Sequence, residues 1–184
     1  MIMRTPILET QRIILRPLSV ADADQVYRNW ASDPEVARYM SWTVHSDIQI
    51  TKDWLLDAEN HIDDENNYDW GFERKSDHVL IGSGGIYYKE EKGMFTLGYN
   101  LMKSCWRQGY TSEAAARILS FATQELQQNK LYSFHAKDNP NSGKVMEKVG
   151  FYYVSDTEYD SMDGTKHFEA REYLYVNDDK VNSL

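Results

Sequence analysis

Apolar and polar positions along this chain recur with two periods, near 2 and near 3.6, and they divide it into short strands and helices. Residues 12–18 (RIILRPL) read as a strand that breaks near Pro17. Ser19 with Asp22 three residues on forms a capping-box start, and the helix it opens sets Ala23, Val26, Tyr27 and Trp30 on one face. Ser32-Asp33-Pro34 stops that helix, and a short helical piece is expected through Met40. Ser46 with Gln49 marks a second capping-box start, followed at helical spacing by Thr51, Trp54, Leu55, Ala58 and Ile62. A polar, acidic loop at residues 60–68 leads to three segments of strand character, 68–75, 78–89 and 94–102. The last two are separated by Glu90-Glu91-Lys92-Gly93, a hairpin loop by composition. Residues 110–128 carry the clearest helical pattern, with Ala115, Ile118, Leu119, Ala122 and Leu126 on one stripe. A strand at 131–136 and a short helix at 140–149 follow, the helix closed by Gly150. Residues 151–159 and 167–176 read as a closing pair of strands. The order β-α-α-β-β-β-α-β-α-β-β sets antiparallel strands beside a β-α-β-α unit, which predicts an α+β fold on a mixed sheet of about seven strands.

Composition narrows the function. The 184 residues carry 20 Lys plus Arg against 29 Asp plus Glu, a net charge of −9, and no basic cluster. Such a chain is a poor binder of nucleic-acid phosphates and a better partner for a cation. With 41% apolar and 13% aromatic residues it can bury a core, so a single domain is expected over residues 1–176, with a polar tail at 177–184. The single cysteine, Cys105, rules out an intrachain disulfide and a cysteine zinc site, and the five histidines lack HExxH spacing, so no metal is expected. No apolar run nears the roughly 18 residues of a bilayer span, and the N-terminus lacks the apolar core of a signal peptide. The expectation is a cytoplasmic protein, monomer or homodimer, with no membrane or nucleic-acid partner.

Two segments carry chemistry. In LMKSCWRQGYTSEAAA (residues 101–116) a strand ends, the chain turns at Gly109, and a long amphipathic helix begins. A helix start presents unpaired N–H groups and the positive end of the macrodipole, a ready anion site. Gly109 lets the backbone approach a ligand with no Cβ in the way, and Thr111 and Ser112 add hydroxyls. Alone, this loop reads first as an ordinary strand-to-helix turn. It is not a P-loop: Gly143-Lys144 is followed by Val145, and the first glycine position holds Asp138. Nor is there a Rossmann fingerprint, since Gly82, Gly84 and Gly85 lie within a strand. The second segment is Asp138-Asn139-Pro140-Asn141-Ser142 followed by GKVMEKVGF, where Asn139 can meet a ligand or cap a helix with Pro140 at its first position.

Taken together, ETQRIILRPLSVADADQVY, LGYNLMKSCWRQGYTSEAA and NPNSGKVMEKVGF resemble the GNAT superfamily of acetyl-CoA-dependent N-acetyltransferases, and within it the subgroup of ribosomal-protein N-terminal acetyltransferases. The resemblance runs from Glu9 to Tyr175. It implies a strongly twisted sheet, flanked by helices and splayed between its fourth and fifth strands (94–102 and 131–136), with acetyl-CoA in the splay. It also implies that backbone N–H groups of Gln108, Gly109, Tyr110, Thr111 and Ser112 hold the pyrophosphate. The family pattern R/Q-x-x-G-x-G/A falls on residues 106–111, with Trp106 and Thr111 departing from it. Asn100, Leu101 and Met102 would pair their backbone with the pantetheine arm, and Asn139 and Ser142 match the family's cofactor-side Asn and Ser.

The implied reaction is direct attack of an amine on the thioester, with no covalent enzyme intermediate. Met146 stands where many members place an acidic Tyr, and Thr96 where the subgroup often has a basic Glu. Ser142 is then the candidate for contact with the leaving thiolate. The base is open among Tyr99, His135 and solvent. Trp42 and Tyr99 are the acceptor-side candidates, and Cys105 is read as a structural thiol. Asp53, Asp57, Glu59, Asp63, Asp64, Glu65 and Asp69, with Glu158, Asp160 and Asp163, are either a solvated surface or an acidic rim for a cationic acceptor. The expected acceptor is a protein N-terminus or other cationic amine. The alternatives are a polyamine or small-molecule acetylase and, in another class, a non-catalytic acyl-CoA-binding module.

Overall fold

The computed structural model describes residues 4–177. Its strands are β1 Leu8–Glu9, β2 Ile13–Arg16, β3 Asn67–Arg74, β4 Val79–Lys89, β5 Met94–Leu101, β6 Lys130–Ala136, β7 Tyr152–Asp160 and β8 His167–Val176. Its α-helices are α1 Ala23–Val26, α2 Ile48–Asn60, α3 Tyr110–Gln124 and α4 Pro140–Lys148. All eight strands join one sheet in the order β1-β2-β3-β4-β5-β6-β8-β7. Only β5–β6 is parallel. The extra strand relative to the sequence reading is the two-residue β1, too short for a periodic signal. The tail expected at 177–184 falls, from residue 178 on, outside the described residues.

Strand alternation sorts side chains to the two faces. Tyr68, Trp70 and Phe72 of β3 face α3, where Trp70 and Phe121 meet edge to face at 5.4 Å and Trp70 Nε1 donates to Pro6 O at 2.6 Å. The apolar stripe of α3, including Ala115, Ile118 and Ala122, closes this larger core. A smaller core under α1 and α2 holds Leu18, Val26, Trp30, Leu55 and Leu80. Its edge is anchored by Arg16, which donates to Glu73 Oε2 at 2.7 Å and to both oxygens of Asp22 at 2.8 and 2.9 Å. The first helical region is more broken than its periodicity suggests: a 3₁₀ turn (Val20–Asp22) precedes α1, and a π-type stretch (Tyr27–Ala31) follows it. The second capping residue is also different. Asp47, not Ser46, caps α2, its carboxylate accepting from Gln49 N at 2.7 Å.

β5 and β6 are the pair that positions the site. They are in register only at Phe95↔Leu131 and Thr96↔Tyr132. Beyond that point β5 stays paired with β4 to Leu101, and β6 stays paired with β8 to Ala136, so the sheet opens between them. The opening begins where Ser133 Oγ donates to Leu97 O at 2.7 Å, a side chain standing in for the lost strand partner. The splay expected between the strands at 94–102 and 131–136 is therefore present, as fifth against sixth strand.

Candidate active site

The loop before α3 opens on one side of the splay. Gly109 is its N-cap with φ +83, a left-handed conformation that favours glycine. A Cβ there would meet only Arg12 Nη2, at 3.4 Å. The first intrahelical bond of α3 runs from Glu113 N to Gly109 O, so the amides of Tyr110, Thr111 and Ser112 are those a helix start leaves for an outside acceptor. The loop is braced from behind. Arg12 donates to Gln108 O at 3.0 Å, stacks 4.2 Å over the Tyr110 ring and pairs with Glu113 at 2.7 Å. Trp106, where the family pattern has Arg or Gln, donates its indole N–H to Leu101 O at 2.7 Å and so fixes the loop to β5. An open left-handed glycine at a braced helix start fits a bound phosphate.

Of the three residues expected to offer their backbone to pantetheine, Met102 departs from that expectation. Its N–H donates to Ile81 O at 2.7 Å, and its carbonyl accepts from Cys105 N at 3.0 Å. Antiparallel alternation then turns Asn100 toward β4 as well, and leaves Tyr99 and Leu101 with their backbone toward the splay. Cys105 is buried and free, consistent with a structural thiol.

Across the splay, Asn139 is the N-cap of α4 with Pro140 at the first position, yet its side chain makes no capping bond. Ser142, in the first turn, does not cap either. Its Oγ donates to Tyr99 OH at 3.2 Å, and Tyr99 OH donates to Ser142 O at 2.9 Å. The strand and the helix are thus joined by a phenol–hydroxyl pair where the sheet opens. Burial holds the Tyr99 phenol well above its ordinary pKa, so it stays protonated. That is the wrong state for a base and the right one for a proton donor. His135 packs against α4 beside this pair, where a Cβ on Gly143 would meet its Nε2 at 2.5 Å, but no hydrogen bond joins it to Ser142 or Tyr99 among the described residues. It is buried on β6 with Nδ1 at 2.7 Å from Ala136 O and its ring against Tyr173.

The opposite face of the same strands carries a cavity of about 640 Å³. Its floor is made of the alternate positions of β3, β4 and β5: Asn67 and Asp69, Ser83 and Tyr87, Gly98 and Asn100. Its walls include Trp42, His45 and Trp54, whose rings pack edge to face at 5.8 and 6.4 Å, with Asp57 of α2 and His61 at its C-cap. Burial lowers the His45 pKa, which keeps that ring neutral. The β7–β8 turn closes one side: Met162 N donates to Ser41 O at 2.7 Å, and Asp163 reaches the mouth. Trp42 and Tyr99, the two acceptor-side candidates, both line this cavity. Of the acidic runs only Asp57, Asp69 and Asp163 do so, and no lysine or arginine does, among the described residues. Most of the other acids have structural partners, as Glu59 has in Val20 N at 2.8 Å.

In the sequence Asp69 reads as one of an acidic stretch that is either a solvated surface or an acceptor rim, and its setting differs from that of its neighbours. It lies on β3 with Tyr87 OH donating to its Oδ1 at 3.2 Å. Surrounding protein pushes its carboxyl up to about 7, against the Tyr87 hydrogen bond, which lowers it. A signal was present: in Tyr68-Asp69-Trp70-Gly71-Phe72 the aromatics take one face, so Asp69 must take the other.

Three comparisons bear on this geometry. The family model described as "Acetyltransferase (GNAT) domain" matches residues 12–152. This chain belongs to the GNAT acetyltransferase family. It is 27% identical over 173 residues to the Bacillus subtilis protein named uncharacterized N-acetyltransferase YoaA, covering 94% of this chain and 90% of the relative. It is 27% identical over 145 residues to the Bacillus licheniformis protein named uncharacterized N-acetyltransferase p20, covering 78% and 81%. Among solved structures, a ribosomal-protein-S5-alanine acetyltransferase from Vibrio fischeri superposes with TM-score 0.80 at 16% identity, over 95% of this chain and 98% of that one. A GNAT-family acetyltransferase from Bacillus anthracis superposes with TM-score 0.79 at 17% identity, over 93% and 98%. These superpositions show the shared fold, and the family match makes the protein an acetyltransferase.

Proposed function

We propose that this GNAT protein transfers an acetyl group from acetyl-CoA to a cationic primary amine, foremost a peptide or protein N-terminus. The observation that carries the reading is the two-sidedness of β5. Its Tyr99 and Leu101 edge faces the splay beside the α3 helix start, while Gly98 and Asn100 line the polar cavity on the other side. Donor and acceptor would therefore meet across a single strand.

When bound, acetyl-CoA supplies an activated thioester, and this chain's residues do the rest. The amides of Gln108 to Ser112 would hold the pyrophosphate, and Asn139, free of a capping bond, would contact the pantetheine. A backbone N–H on the splay edge of β5 stabilises the oxyanion that develops on the carbonyl. Ser142, hydrogen-bonded to a protonated Tyr99, provides the proton for the departing sulfur and fills the role left empty by Met146. The cavity, with three carboxylates and no lysine or arginine among the described residues, favours a cation over an anionic amino acid.

Thiol release from acetyl-CoA with a panel of amines, with products identified by mass, tests the reading. A basic peptide and spermidine should release thiol in step with acetylated product, and an acidic amino acid should not. Binding of acetyl-CoA with no thiol release for any amine would favour a non-catalytic acyl-CoA-binding module instead.

A further inference from the structure

Asp69, Gly85 and Gly98 pair in one row across β3, β4 and β5. At strand spacing the row spans about 10 Å, from the carboxylate to the strand where the sheet opens. A Cβ on Gly85 would meet Tyr68 O at 2.2 Å and Asp69 Oδ1 at 3.1 Å, so the carboxylate itself lies over Gly85, whereas a Cβ on Gly98 would meet only Tyr87 Cε2, at 3.6 Å. The carboxylate therefore sits one strand from the open position at Gly98, held there by the Tyr87 hydroxyl.

The cavity floor is lined for hydrogen-bond donors. Asn67 and Asn100 lie in the rows on either side of Asp69, and the side-chain carbonyl oxygen of each is buried with no partner among the described residues. Asn100 is fixed in that orientation because its Nδ2 donates to Ser83 Oγ at 2.8 Å. Buried acceptors left unpaired are costly, and a ligand N–H is what would satisfy them. An ammonium carries three such donors and the matching charge.

We propose that Asp69 is the catalytic base: its carboxylate receives the acceptor ammonium and takes its proton. This rests on the acetyltransferase reading above. One N–H proton passes to Asp69, directly or across one water. The freed lone pair forms the C–N bond to the acetyl carbon of the thioester, the C–S bond breaks, and the thiolate leaves with its electron pair. The second proton lost by nitrogen goes to that sulfur through Ser142, and Asp69 returns its own proton to solvent. A pKa of about 7 suits this task, since it allows both capture and release near neutrality. The other titratable groups lining the cavity are His45, Asp57, His61, Tyr87, Tyr99 and Asp163. His45 and the two tyrosines are held neutral, and Asp57 and Asp163 stand exposed at the mouth.

Two variants test it, with amine binding and turnover read separately. Calorimetry of the full chain with spermidine and with a basic peptide at pH 8, without acetyl-CoA, should show at least about tenfold weaker binding in Asp69→Asn. In the assay with acetyl-CoA, Asp69→Asn should lower kcat by about 10²–10⁴-fold while the acetyl-CoA KM stays unchanged. The acid limb of the kcat profile near pH 7 should vanish. Tyr87→Phe, which keeps the carboxylate and removes the bond that lowers its pKa, should move that limb to higher pH. Wild-type binding, kcat and pH limb in Asp69→Asn, or failure of every amine to bind the wild type, would overturn the proposal. Amine binding that depends on Asp69 without acetyl transfer by the wild type would instead overturn the acetyltransferase reading alone.

Discussion

At the scale of single residues, the same physics that suits Asp69 to catalysis makes it costly to the fold. Its pKa is raised by burial, so the folded state resists ionising a carboxyl that ionises readily in the unfolded chain. The unfolded chain therefore binds fewer protons between its ordinary carboxylate pKa and about 7, and Asp69 lowers stability as pH rises through that window. Melting followed from pH 4 to 8 should show Asp69→Asn gaining on the wild type as pH rises. A difference independent of pH would contradict the placement of the carboxyl. Asp22 has the opposite sign. Burial works to raise its pKa, but Arg16 and the Ser19 amide outweigh it and hold it below the ordinary value. Its contribution is present above that ordinary value and is lost as pH falls through the lowered one. Asp22→Asn should cost about 1–3 kcal/mol at pH 7, measured by denaturant unfolding, and less in acid. Gly109 adds a third case. Because its φ is +83, Gly109→Ala should cost about 1 kcal/mol of stability as well as weakening acetyl-CoA binding, so affinity must be read on protein verified as folded.

At the scale of elements, two helix starts make a contrast. Asp47 accepts from Gln49 N, whereas Asn139, also an N-cap, makes no side-chain bond to its helix. Asp47→Ala should lower stability by about 1 kcal/mol and leave turnover alone. Asn139→Ala should do the reverse, with melting nearly unchanged and a raised acetyl-CoA KM. Equal stability losses in the two would mean that Asn139 is only a cap. Most of the predicted elements are legible for a clear reason: a strand such as 94–102 or a helix such as 110–128 must show its buried stripe in the sequence. What was not legible depended on local competition. Ser46 and Asp47 are adjacent capping types, and only backbone geometry decides between them. The first helix kept its apolar face but broke into three kinds of turn, which periodicity does not distinguish.

At the scale of the whole molecule, the splay was expected from a family resemblance, and its cause is visible in the pairing: β5 follows β4 while β6 follows β8. The Gln108–Ser112 loop and the Asn139–Ser142 turn could be found because each is contiguous in sequence. The cavity floor could not. Asn67, Asp69, Ser83, Tyr87, Gly98 and Asn100 come from three strands, and only the observed register brings them together. The acidic rim is likewise sparser than the sequence suggests, with Asp57 and Asp163 at the mouth and most other acids engaged elsewhere. Steering by so few exposed charges should give cationic acceptors a modest loss of kcat/KM as ionic strength rises past about 0.1 M, and a neutral peptide none.

The central claim is that donor and acceptor meet across β5, and a crystal structure of the protein with coenzyme A and spermidine tests it most directly. The account predicts the pyrophosphate on the amides of Gln108 to Ser112, the sulfur beside Ser142 and Tyr99, and an amine nitrogen in the polar cavity over Gly98, turned toward Asp69. Coenzyme A lying in the polar cavity, or an amine bound away from Gly98 and Asp69, would contradict it.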